Sequence, residues 1–180
     1  MKQEIIIAGF GGQGVLMMGK ILAYSGLMDD KEVTWMPSYG PEQRGGTANV
    51  TVILSDDRIS SPVLDAYDIV VALNQQSLDK FSQRVKPGGV LIYDTSGIHN
   101  LPERDDIKII PIDAMEATFR IGHPKAYNMV VLGALLEAMD YKLPHENVLK
   151  GLQKSLPERH HHLIPLNSDA IEMGRNLLPK

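Results

Sequence analysis

The stretch IIIAGFGGQGV, residues 5–15, runs an apolar strand into a glycine-rich turn and on into a helix. Gly9, Gly11 and Gly14 fit the spacing G-x-G-x-x-G, and Gly12 adds a fourth glycine. Glycine reaches positive φ without steric cost and lets the backbone approach an anion or another backbone. The unpaired N–H groups that open the following helix favour a phosphate or carboxylate. The pattern predicts the first unit of an α/β sheet and a candidate anion site at Gly9, Gly11, Gly12, Gln13 and Gly14. A dinucleotide would also need an acidic residue about 20 residues on, at the tip of the second strand, to hold its ribose. Here that strand ends in Pro37, Ser38 and Tyr39, while Asp29, Asp30 and Glu32 fall in the turn entering it, at the wrong end. Ordinary NAD or FAD binding is therefore disfavoured.

Outward from this stretch, apolar segments alternate with helical ones. The pattern predicts strands at 4–9, 32–38, 48–55, 68–73, 89–94 and 107–111, with helices at 13–28, 76–84 and 113–119. DIVVALN from Asp68 and KPGGVLIYDTS from Lys86 have the short, wholly apolar runs of central parallel strands, whose carboxyl-terminal loops face ligands. Residues 48–55 differ, because Ala48, Val50, Val52 and Leu54 alternate with Asn49, Thr51 and Ser55. That alternation predicts a half-exposed strand and admits an antiparallel placement, hence a mixed sheet. After Pro124 the chain reads as helical. AYNMVVLGALLEAMD from Ala126 is apolar almost all round, which predicts burial against the sheet or against a partner. A short helix from Pro144 to about Leu152 and a last one from about Asn167 to Leu178 follow. The expected architecture over residues 1–180 is a single three-layer αβα, Rossmann-like domain with a mostly parallel sheet and a helical C-terminal part.

A second informative stretch, MPSYGPEQRGGTANV at 36–50, makes a long glycine- and proline-rich loop between two strands. Gly45, Gly46 and Thr47 offer successive N–H groups, and Arg44 a planar, permanently charged fork, so an anion is one sensible guest. Pairing of Arg44 with Glu42 or with a neighbouring subunit is the other reading, the glycines then serving the turn alone. In a doubly wound sheet the loop after the second strand faces the one after the first, so Ser38, Tyr39 and Arg44 to Thr47 would line one crevice with Gly9–Gly14.

The net charge of −4 is spread over both halves, without the basic face that duplex nucleic acid requires. No apolar run approaches the roughly 18 residues that span a bilayer, and the N-terminus enters a strand without a leader pattern, which points to the cytoplasm. The absence of cysteine excludes disulfides, thiolate zinc sites, a cysteine nucleophile and thiolate-ligated iron–sulfur clusters on this chain. No nucleophile–base pair is visible, so catalytic residues stay unassigned. His160, His161 and His162 point in different directions on any helix and fit a surface or interface cluster better than a metal site. Asp94 ends a strand, where it suits a ligand contact or a turn equally well, and Asn128 suits backbone groups at the head of its helix.

Taken together, GFGGQGVLMMGKILAYSG, MPSYGPEQRGGTANVTVILSDDRISSP, DIVVALNQQSLDKF and AYNMVVLGALLEAM resemble the gamma subunit of the 2-oxoacid:ferredoxin oxidoreductases, over roughly residues 4–140. The likeness is to the 2-oxoglutarate and branched-chain oxoacid members, and to the indolepyruvate beta subunit and the pyruvate enzyme's third domain as well. It implies a complex that decarboxylates a 2-oxoacid on thiamine diphosphate, passes electrons through iron–sulfur clusters to ferredoxin and releases an acyl-CoA. It further implies alpha, beta and delta partners, with thiamine diphosphate on the beta subunit and the clusters on others such as the ferredoxin-like delta subunit. No cofactor would then be tightly bound to this chain, and CoA would be a substrate of the complex. Two other readings remain open. One is a free-standing nucleotide-binding protein. The other is a purely structural subunit, whose apolar helix from Ala126 would let the isolated chain pair with a second copy as a homodimer.

Overall fold

The computed structural model describes residues 1–40 and 46–178. One six-stranded sheet organises the chain: β1 (Lys2–Phe10), β2 (Glu32–Tyr39), β3 (Thr47–Ser55), β4 (Tyr67–Ala72), β5 (Val85–Asp94) and β6 (Lys108–Ile112), in the order β2-β3-β1-β4-β5-β6. β4 and β5 run parallel to β1, as their short apolar runs predict, and β6 continues the parallel set. β3 is antiparallel to both neighbours, so the sheet is mixed.

The expected half-exposure of β3 is wrong: from Val50 to Ser55 every residue is buried, including Thr51 and Ser55. β3 lies between β1 and β2 rather than at the edge, and its alternating small polar residues are enclosed with their apolar neighbours. β2 takes the edge instead. Its Pro37, which has no N–H to give a ladder, suits an edge position.

Helices cover the two faces unequally. α1 (Val15–Leu27), α3 (Ala114–Ile121), α4 (Tyr127–Ala138), α5 (His145–Ser155) and α6 (Ile164–Arg175) build the larger core against Ile5, Ile7, Val50, Val52 and Val71. The other face holds α2 (Gln75–Phe81), whose Leu78 and Phe81 pack on Ile6, Ala8, Val70 and Leu91. Three layers are present, as expected, but the second helical layer is thin. α2 ends at Phe81 and passes into a 3-10 turn, Ser82–Arg84, inside the segment expected to be one helix.

α4 is the centre of the thick layer, with Met129 to Leu136 all buried. It lies against α6 so closely that a Cβ on Gly133 would stand 1.9 Å from the Ile171 carbonyl oxygen, and one on Gly174 1.9 Å from that of Val130. The apolar helix is therefore a core element, and its buried stretch Met129–Leu136 does not form the exposed apolar face that pairing with a second copy would use. At the opposite end of the sheet from the glycine turn, the Asp68 carboxylate accepts from the Glu4 backbone N–H (2.8 Å) and from the Lys86 ammonium (2.7 Å). Lys86 and Lys2 also pair with Glu4; burial alone would raise the Glu4 carboxyl, but these two cations hold it below its ordinary value.

Candidate functional site

The chain leaves β1 at Phe10 and reaches α1 through Gly11–Gly14. Gly12 (φ 95°) and Gly14 (φ 75°) both take the left-handed conformation that glycine permits. Gln13 braces this turn. Its Oε1 accepts from the Phe10 N–H at 2.7 Å, and its Nε2 donates to the Leu73 carbonyl at 3.4 Å. The Gln13 amide is thus committed within the protein.

α1 opens without a side-chain cap and without an acidic residue in its first turn. The first N–H groups of a helix have no intrahelical partner, and here they belong to Val15, Leu16 and Met17, which border an open concavity of about 490 Å³. Gly11, Gly12, Gly14, Tyr39, Gly40, Gly46 and Thr47 also line it. No described lining residue is charged, so the positive end of the α1 dipole is the dominant fixed electrostatic feature.

The two predicted loops do meet, by a route that differs from a doubly wound sheet. β2 and β3 pair antiparallel, and just ahead of β3 the Gly46 carbonyl accepts from the Gly11 N–H at 2.8 Å. Because β3 separates β2 from β1, the neighbour of the glycine turn is the start of β3 rather than the end of β2. Among the candidates, Gly11, Gly12, Gly14, Tyr39, Gly46 and Thr47 line the main concavity. Gln13 borders an adjoining one of about 200 Å³. Gly9 is buried under Gln13 and Leu73 with no room for a Cβ, and Ser38 is an exposed ladder residue outside the lining. Arg44 and Gly45 lie outside the described residues.

The smaller concavity introduces Lys125, Tyr127 and Asn128; of these the sequence marks only Asn128, as a partner for backbone groups rather than a site residue. Asn128 packs its side chain directly over Gly14, where a Cβ would fall within 2.5 Å of Nδ2. Tyr127 donates to the Asp94 carboxylate at 2.6 Å, and the Ser96 N–H reaches the other oxygen at 3.5 Å. Burial raises the Asp94 carboxyl above its ordinary range despite these bonds, and burial with the Asp94 contact raises the Tyr127 hydroxyl strongly. Asp94 therefore serves the interior, anchoring the head of α4 beside the glycine turn. Asp29 is likewise spent: it accepts from Asn147 at 2.9 Å and from the Tyr141 hydroxyl. His161 lies 3.0–3.1 Å from the carbonyls of Leu156 and Gln153. Among the described residues no group of three metal-ligating side chains converges.

Residues 4–177 match the family model for pyruvate ferredoxin/flavodoxin oxidoreductase. The chain belongs to this family. A ketoisovalerate oxidoreductase subunit VorA of Methanothermobacter marburgensis is 42% identical, over 95% of this chain and 35% of the relative. The chain thus spans about a third of the length of that relative. A 2-oxoglutarate synthase subunit KorC of the same species is 38% identical over 99% of this chain and 97% of its own. The crystal structure of a keto/oxoacid ferredoxin oxidoreductase gamma subunit from Geobacter sulfurreducens superposes with a TM-score of 0.84 at 30% identity, covering 98% of this chain and 96% of that one. Family membership extends to residue 177, well beyond the span over which the sequence motifs carry the resemblance. Among the described residues, no helix is long and apolar enough to cross a membrane.

Proposed function

We propose that this chain is the gamma subunit of a heteromeric 2-oxoacid:ferredoxin oxidoreductase that converts a 2-oxoacid, such as 2-oxoglutarate or a branched-chain acid, to an acyl-CoA in the cytoplasm. Thiamine diphosphate and iron–sulfur clusters belong to alpha, beta and delta partners, in keeping with the absence of cysteine here. Similarity to a 2-oxoglutarate synthase subunit along nearly its whole length, and to a gamma subunit of the same fold, supports this reading over a free-standing nucleotide-binding protein.

Within the complex, the chain's own contribution is an anion-holding wall for CoA. The observation that carries this is the uncapped start of α1, with Leu16 and Met17 bordering a crevice free of described acidic residues. A CoA phosphate there would accept hydrogen bonds from the free N–H groups of the first turn, and Gly12, with nothing within 4 Å of a Cβ placed on it, keeps the approach clear of side chains. Arg44, in the glycine-rich stretch of sequence between β2 and β3, is the cation we assign to the same phosphates. The reacting carbonyl and the electron path lie on the partner chains.

A carboxylate placed in the first turn would repel that phosphate while favouring the helix itself. Leu16→Asp in the reconstituted complex is expected to raise the apparent KM for CoA about tenfold or more, with kcat and assembly preserved. Arg44→Ala should act in the same direction. An unchanged KM in both variants, with the complex intact, would refute the CoA role.

A further inference from the structure

A third concavity, about 720 Å³, opens beside α4 and is bordered by the start of α6 and by the 3-10 turn Glu158–Leu163. Met17, Met129, Leu156, Leu163 and Leu166 give it an apolar lining. His123, Lys125 and His160 supply its ionisable groups, with His123 and Lys125 exposed. No described residue lining it is acidic, in a chain where acidic residues outnumber lysine and arginine by 22 to 18. The charge of this groove is therefore opposite in sign to that of the molecule.

We propose that this groove seats an acidic segment with an apolar face, contributed by another subunit of the oxidoreductase complex. Apolar side chains of that segment would enter the methionine- and leucine-lined part, where flexible methionines adapt to the shape presented. Its carboxylates would face Lys125, and the match of potentials would steer the encounter. A small phosphorylated ligand fits less well, because most of the lining is aliphatic and the cation is exposed rather than enclosed. The proposal rests on the chain being one subunit among several; Met17 and Lys125 also border the concavities at the glycine turn, and Leu163, which lines this groove and neither of those, separates the two sites.

The test immobilises the full chain and measures the Kd for the remaining subunits of its complex. Leu163→Asp places a charge in the apolar lining, Lys125→Glu reverses the cation, and Lys80→Glu on the opposite face of the sheet reports the effect of net charge alone. The first two are expected to raise Kd about tenfold or more, and Lys80→Glu to leave it unchanged. High salt should reduce the Lys125→Glu effect and leave that of Leu163→Asp. Melting of each isolated variant identifies a folding defect, and exposed Lys125 keeps the question answerable if Leu163→Asp misfolds. A wild-type chain that binds none of these subunits would overturn the subunit reading and the groove with it. Wild-type binding unaffected by Lys125→Glu, or weakened equally by Lys80→Glu, would overturn the groove alone. An unchanged Kd with a raised KM for CoA in Leu163→Asp would overturn the docking role and assign the groove to a small ligand instead.

Discussion

Gly14 meets two constraints at once, a φ of 75° and the Asn128 side chain lying where its Cβ would be. Gly12 meets only the first, since nothing stands within 4 Å of a Cβ placed on it. A left-handed residue other than glycine costs about 1–2 kcal/mol, and steric overlap adds to that. Gly14→Ala is therefore expected to lose about 3 kcal/mol against about 1 kcal/mol for Gly12→Ala, as read by denaturant unfolding. Equal losses would mean that Asn128 yields freely. Asp94 gives a prediction of the opposite sign. Its folded carboxyl titrates above the ordinary range because it is buried, so the charged form is disfavoured in the native state. Stability from this group is lost as pH rises from the unfolded value through the raised one, and is unaffected below both. Asn at this position still accepts from Tyr127. Asp94→Asn should thus gain melting temperature relative to wild type at pH 7 and lose that advantage near pH 3. The same difference at both values would show that Asp94 is not titrating as its burial implies.

At the scale of elements, the crossing of α4 and α6 has no slack, because each helix sets a glycine against the other's backbone. Gly133→Ala or Gly174→Ala must push the helices apart, at a cost of about 3 kcal/mol or more, visible as a lowered denaturant midpoint. Little loss would mean that the crossing relaxes. Neither glycine was legible in sequence, where both look like ordinary interruptions of a helix. The elements themselves were legible, since period and turn residues mark β1, α1, β4 and β5 directly. Strand order was not, because alternation reports whether one face is wet and says nothing about neighbours. Thr51 and Ser55 imitate a solvent face while sitting inside the sheet, which is why β3 read as half-exposed. The candidate site divides in the same way. Gly11, Gly12, Gly14 and Gly46 announce themselves through glycine spacing, whereas Lys125, Tyr127 and Asn128 reach the turn only through the packing of α4 and the 3-10 turn before it.

Across the whole molecule, the glycine turn that follows β1 meets the start of the neighbouring β3 at one crevice, and what that crevice holds distinguishes the readings of the chain. A ligand that binds only the folded state raises its melting temperature by mass action. Isolated chain should shift with CoA and stay unchanged with NAD, since the end of β2 presents exposed Ser38 and Tyr39 and no carboxylate for a ribose among the described residues. A shift with NAD and none with CoA would return the chain to the dinucleotide-binding class. β1 itself is hydrogen-bonded on both sides, by β3 and β4, and its Ile5–Ala8 segment is sealed from solvent. Amides there can exchange with deuterium only through an opening of the whole sheet, whereas those of the glycine turn a few residues later are held by few bonds. A slow-exchanging and a faster-exchanging stretch should therefore adjoin at Phe10. Deuterium uptake across that boundary would record occupancy of the crevice as a local slowing at Gly12–Met17, with the strand beneath unchanged.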